Sequence, residues 1–189
     1  MSTPWELPTS LTVGGEEWKI RTDFRAILDI LKYFADPEYE QDEKWAICLD
    51  ILYEDFEQMP HYLHEEAAKQ AVEFIDMGIK DDGKQKPTLM DWEKDAPIII
   101  PSVNRVVGQE VRAMQYMHWW TFLGAYMEIG ESLFSQIISI RAKRAKGKKL
   151  EKWELDFLKE NKELIELKRK KPERSAEEKA ALDELFGRK

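Results

Sequence analysis

Starting at Thr22, the chain takes on a helical apolar period that recurs almost to its end. Phe24, Ile27, Leu28, Leu31 and Phe34 fall at i, i+3, i+4, i+7 and i+10, the spacing that lines one face of an α-helix. Such stripes must be buried against one another, so the chain is confined to packed helices. Thr22 or Asp23 is placed to cap this first helix, and Asp36-Pro37 to stop it. A second helix is expected over residues 42–56, with Trp45, Cys48, Leu49, Leu52 and Phe56 as its stripe. A third is expected over 62–77, with Leu63, Ala67, Ala71, Phe74 and Ile75 inward and Gly78 as its C-terminal cap.

The one departure from helix comes earlier. Leu11-Thr-Val13, Gly14-Gly15 and Trp18-Lys-Ile20 read as a β-hairpin, because two glycines supply the positive φ angles of a tight turn. Two strands alone are marginal in water, so this hairpin must pack on something else.

Residues 80–88 are the most loop-like stretch, with Gly, Pro and almost no apolar residue. Beyond them, Asp95 with Pro97 fits a helix start, and Pro101 is expected to kink that helix or delay it. Two strongly apolar helices follow over 116–129 and 131–142, broken at Gly130. Then comes a basic run, Arg141-Ala-Lys143-Arg144-Ala-Lys146-Gly147-Lys148-Lys149, with six cations in nine residues. A long amphipathic helix is expected over 150–170, ended by Pro172, and a capping box at Ser175 and Glu178 opens a last short helix. The expected fold is mainly α, either one multi-helix domain or two helical sub-domains, with a small N-terminal hairpin. Its parts are residues 1–80, a linker at 81–94, a segment at 95–150 and a basic amphipathic tail at 151–189.

Composition narrows the function. In 189 residues, 43% hydrophobic content with seven Trp and eight Phe is ample for a core and excludes wholesale disorder. One Cys excludes a disulfide scaffold and a zinc ribbon. No run of about 18 apolar residues occurs; residues 114–138 come closest and are interrupted by Glu128 and Glu131. The N-terminus lacks the basic start and apolar stretch of a signal peptide. A soluble protein that stays where it is made is expected, with no membrane partner. Charge is unevenly spread: residues 1–140 carry a balance of −14 and residues 141–189 one of +6. Two surfaces with different partners would use that asymmetry, although a solvated Lys-rich tail explains it equally well.

No catalytic set emerges. His61 and His64 stand at i, i+3 without a defined third ligand, so surface histidines are the expectation and no metal or cofactor is implied. Asp50 and Glu54, one turn apart, read as solvated helix surface rather than as a like-charge pair. Cys48 lies on an apolar stripe, where a buried thiol is inert. No phosphate-cradling glycine loop and no nucleophile elbow is present. The basic run has neither interleaved aromatics nor a base-reading helix, and the chain is acidic overall. Nucleic acid is therefore disfavoured against a solvated junction or a dock for an acidic protein.

The densest signal is Met117-His118-Trp119-Trp120-Thr121-Phe122-Leu123. Adjacent Trp residues point about 100° apart on a helix, so a single face does not bury both. Either one enters the core and the other meets a neighbouring element or a second subunit, or both pack within the monomer around a crowded helix centre.

At these residues the chain resembles a known family. Met117-His-Trp-Trp-Thr-Phe-Leu123 followed by Ile137-Ile-Ser-Ile-Arg141 is similar to the signature of the downstream, T-like part of phage tail assembly chaperones. Asp95-Ala with Ile99, Ile100, Val103 and Gly108 resembles that family's lead-in helix, although Val107-Gly108-Gln109-Glu110 departs from its aromatic-Gly-Ile-Asp ending. Over residues 10–165 the chain is also similar to the phage gene product fifteen family of Gram-positive prophages, through Thr22-Asp23-Phe24-Arg25, Phe134-Ser and the stretch from Ile140-Arg141 to Lys148-Lys149-Leu150-Glu151-Lys152-Trp153-Glu154.

The resemblance implies a non-enzymatic protein of the bacterial host cytoplasm, absent from the finished virion. It implies binding to the tape measure protein, a long helical ruler, through the G-like residues 1–80. It implies recruitment of the tail tube (major tail) protein through the T-like segment, and self-association is a further expectation. The partner-binding candidates are Met117, His118, Trp119, Trp120, Phe122, Arg141, Lys143, Arg144, Lys148 and Lys149. The alternative is a completion or connector protein that stays in the tail.

Overall fold

The computed structural model describes residues 5–79 and 86–167. Among them, a two-stranded antiparallel hairpin, β1 (Ser10–Val13) and β2 (Glu16–Lys19), precedes eight helices. These are α1 (Phe24–Ala35), α2 (Gln41–Leu52), α3 (His64–Ile75), α4 (Ala96–Val107), α5 (Trp119–Met127), α6 (Leu133–Ala145), α7 (Lys152–Glu160) and α8 (Lys162–Ile165). The mainly α fold with a small hairpin is as the periodicity predicts.

The hairpin turns at Gly14 and Gly15, both with positive φ, and pairs Val13 with Glu16 and Ser10 with Lys19. What it packs on is the start of α3. A Cβ on Gly14 would sit 2.8 Å from the Leu63 side chain, and the Gly14 N–H donates to Glu66. Val13 is thereby sealed from solvent.

Helix boundaries move where a competing contact prevails. The second helix ends at Leu52, short of Phe56, because Tyr53 turns extended and bridges Ile20. Asp50 and Glu54 consequently share no helix face. The helix at Ala96 runs through Pro101, which neither delays its start nor ends it: Pro101 sits on the exposed side. Asp95 is not a side-chain cap, since its carboxylate is taken by Arg141. The expected 150–170 helix breaks at Asn161 into α7 and α8. Its final residues, and the element opened at Ser175, lie outside the described residues, as does most of the 81–94 linker's first half.

One contiguous set of buried side chains runs from Val13 to Ile165 and draws on every helix except α7. Residues 1–80 and 95–150 therefore meet in a common core. Antiparallel backbone bonds join them directly: Phe24 N–H to Met117 O at 3.0 Å and Trp119 N–H to Thr22 O at 2.7 Å. Phe24 stacks on Phe122 at 4.5 Å between ring centres.

Candidate partner-binding surfaces

Many of the residues that carry the family signatures are internal fasteners, bonded to backbone groups at the ends of helices. The indole N–H of Trp119 donates to Ile75 O and that of Trp120 to Phe74 O, each at 2.8 Å. These are the last two carbonyls of α3. Adjacent Trp side chains, about 100° apart on α5, thus straddle one helix terminus. Trp119 enters the core while Trp120 meets the neighbouring α3, the first of the two arrangements open from the sequence. Trp119 is buried, and Trp120 keeps one edge toward solvent.

His118 caps α5. Its Nδ1 accepts from Trp120 N–H at 3.0 Å, so the ring proton resides on Nε2, which donates to Pro8 O at 2.9 Å. Burial lowers its pKa, opposed in part by the bond to Pro8. Asp23 does the corresponding work for α1: its carboxylate accepts from Arg25 N–H and from Met117 N–H. Arg25 then reaches the carbonyls of Val111, Arg112 and Met114. The sequence offers Thr22 or Asp23 as the cap, and the structure uses Asp23; the Arg25 reach, 86 to 89 residues along the chain, has no local signal.

Arg141 is the most deeply engaged cation. Nη1 and Nη2 grip the two oxygens of Asp95 at 2.6 and 2.9 Å. Nε reaches Ile165 O, and the remaining donors reach Leu89 O and Leu164 O. All five guanidinium N–H groups are used. Met117, His118, Trp119, Phe122 and Arg141 are all buried. In this fold they line the common core.

Of the candidate cations, Lys143 is half-buried and pairs with the buried Glu154 at 2.7 Å, which lowers the Glu154 pKa. Arg144, Lys148 and Lys149 are exposed, as is Lys146. They crowd the C-terminus of α6, where Gly147 turns left-handed and Lys148 N–H closes on Lys143 O. Cations at that end also complement the helix dipole.

Two clefts open on the N-terminal half. One, of about 830 Å³, lies between the hairpin's lead-in (Leu7, Pro8) and α3 (Glu73, Phe74), with the Trp120 edge on its wall. The other, of about 560 Å³, runs between α2 and α3. Among the described residues, no three His, Cys, Asp or Glu side chains group to hold a metal. The His61 and His64 rings are 4.7 Å apart and tilted, and His64 Nε2 lies on Met59 O. Burial pushes the Cys48 thiol up to about 12, far from the thiolate a nucleophile needs.

The bacteriophage Gp15 protein family matches residues 5–167. The chain belongs to that family. Membership places it among bacteriophage structural or morphogenesis proteins. No curated protein and no solved structure matches it. The matched span takes in the hairpin, the common core and α7 and α8.

Proposed function

We propose that this Gp15 protein is a non-enzymatic tail assembly chaperone of the host cytoplasm. It binds the tape measure protein through its N-terminal half and brings tail tube subunits to the coated ruler through the end of the T-like segment. The observation that supports this reading is charge placed on a common frame. The body up to residue 140 carries −14, while Arg144, Lys146, Lys148 and Lys149 project together from the end of α6. Opposite potentials on one rigid core suit two different protein partners held at once.

The mechanism is mass action. Copies along the ruler cover its apolar stripes and keep it extended. Tube subunits closing into rings bury more surface and displace them. Each copy must then bind weakly, at roughly micromolar strength, and gain from the number of copies on one rod.

Co-expression of the full chain with tape measure fragments and tube protein tests this. Soluble, co-purifying ruler fragments are expected. Replacing Arg144, Lys146, Lys148 and Lys149 with Glu should release the tube protein and leave the ruler bound. If wild-type chain neither solubilises nor co-purifies with the fragments, the reading fails. Fixed copy number in purified virions by mass spectrometry would favour a retained tail component instead.

A further inference from the structure

The cleft between α2 and α3 has the form of a helix-binding groove. Its floor is apolar: Trp45, Ala46 and Leu49 from α2 face Ala68 and Val72 from α3. Two alanines at the centre create the room, and Val72 is 41% exposed although nothing polar requires it there. Trp45 is held in place edge-on against Phe34, at 4.9 Å between rings. The lining runs from Asp42 to Leu49 on α2 and from His64 to Val72 on α3, so the groove offers roughly two turns of contact.

The rim is acidic. Asp42 and Glu65 flank the floor, and Lys69 is paired with Glu65 at 2.7 Å. Over residues 38–79 there are twelve Asp and Glu against Lys44 and Lys69 alone. With both cations counted, the stretch still keeps a balance of −10.

We infer that this groove receives an amphipathic helix of a partner protein, with apolar residues at i, i+3, i+4 and i+7 flanked by Lys or Arg. An apolar stripe fills the floor and basic flanks meet the rim, the helix-in-groove mode of recognition. A second copy of this chain is disfavoured, because a two-fold contact would set the acidic rims against each other. This rests on the reading that the chain serves a long helical ruler, and it names the surface used.

The test uses a labelled peptide of about 18 residues, Leu-striped with Lys flanks, and a sister with Glu flanks, titrated by anisotropy into the full chain. Saturable binding of the Lys-flanked peptide is expected, at least about ten-fold tighter than its sister. Ala68→Leu fills the groove, is expected to remain folded by circular dichroism, and should weaken binding about ten-fold. Asp42→Lys with Glu65→Lys should invert the preference between the peptides. Equal binding to wild type and Ala68→Leu, or none to wild type, overturns the inference. So does a fall in apparent mass on Ala68→Leu, which would make the occupant a second copy. Tighter peptide binding when Leu182, Leu185 and Phe186 are changed to Ser would make it the chain's own tail, and also overturns it. The two readings fail separately. Ruler fragments that bind Ala68→Leu undiminished sink the groove alone. A peptide that obeys the groove variants while ruler fragments bind nothing sinks the chaperone role alone.

Discussion

Arg141 and Asp95, 46 residues apart, form a two-pronged ion pair whose side chains are 4% and 2% exposed. It ties the start of α4 to the middle of α6, and the other Arg141 donors tie both to α8. Such a pair is worth little against an apolar replacement, but a great deal against the loss of one partner. Arg141→Met strands the Asp95 carboxylate and should lower stability in urea by about 3–5 kcal/mol. Adding Asp95→Leu should restore much of that loss. Arg141→Lys should not, because a single ammonium does not reproduce five planar donors. A single variant as stable as wild type would show that the pair is open to water.

The Trp pair gives a second prediction. Trp119→Ala removes a buried indole and should cost about 3–5 kcal/mol. Trp119→Phe keeps most of the apolar volume but leaves Ile75 O unpaired, for about 1–3 kcal/mol. Trp120→Phe, at a partly exposed ring, should cost less and leave the apparent mass in light scattering unchanged. A fall in mass for folded Trp120→Phe would mean that the exposed edge bridges copies, contrary to the packing found.

Cys48 should be silent in the native state. It is fully buried on α2, and burial alone raises its thiol to about 12. Labelling by a thiol-disulfide reagent at mild alkaline pH should proceed only as fast as the chain opens, and should accelerate in urea in step with unfolding. Rapid stoichiometric labelling without denaturant would show that α2 lifts locally and that the groove beside it is mobile.

The helices and the hairpin were legible because their signals are local. Phe24 to Phe34 carry the helical period, and Gly14-Gly15 the turn. Boundaries were less so: Tyr53 leaves its helix for Ile20, and Asp95 abandons a capping role for Arg141, each through a contact made far along the chain. Met117, His118, Trp119 and Arg141 stand out in sequence, but that each meets the end of a helix, α1, α5, α3 and α8 in turn, is visible only in the fold. The α2–α3 groove left the opposite trace. Ala46 and Ala68 are unremarkable in sequence, and only the crossing of two helices turns them into a cavity.

His118 makes stability depend on pH. The ring must be neutral to cap α5, since Nδ1 accepts from Trp120 N–H while Nε2–H serves Pro8. Burial lowers the folded pKa below the ordinary 6.5. The unfolded chain therefore takes up this proton first as pH falls, so the stabilisation is complete above about 6.5 and is lost progressively below it. Carboxylates intrude only nearer their own range, about 4. Urea midpoints measured between pH about 7.5 and about 5.5 isolate the histidine contribution. Wild type should lose stability across that interval. His118→Asn keeps a capping acceptor at the same helix start and should be less stable at the upper pH, having lost the reach to Pro8, yet flatter with pH. If the variant falls as steeply as wild type, the dependence does not arise at His118, and the cap at α5 survives protonation.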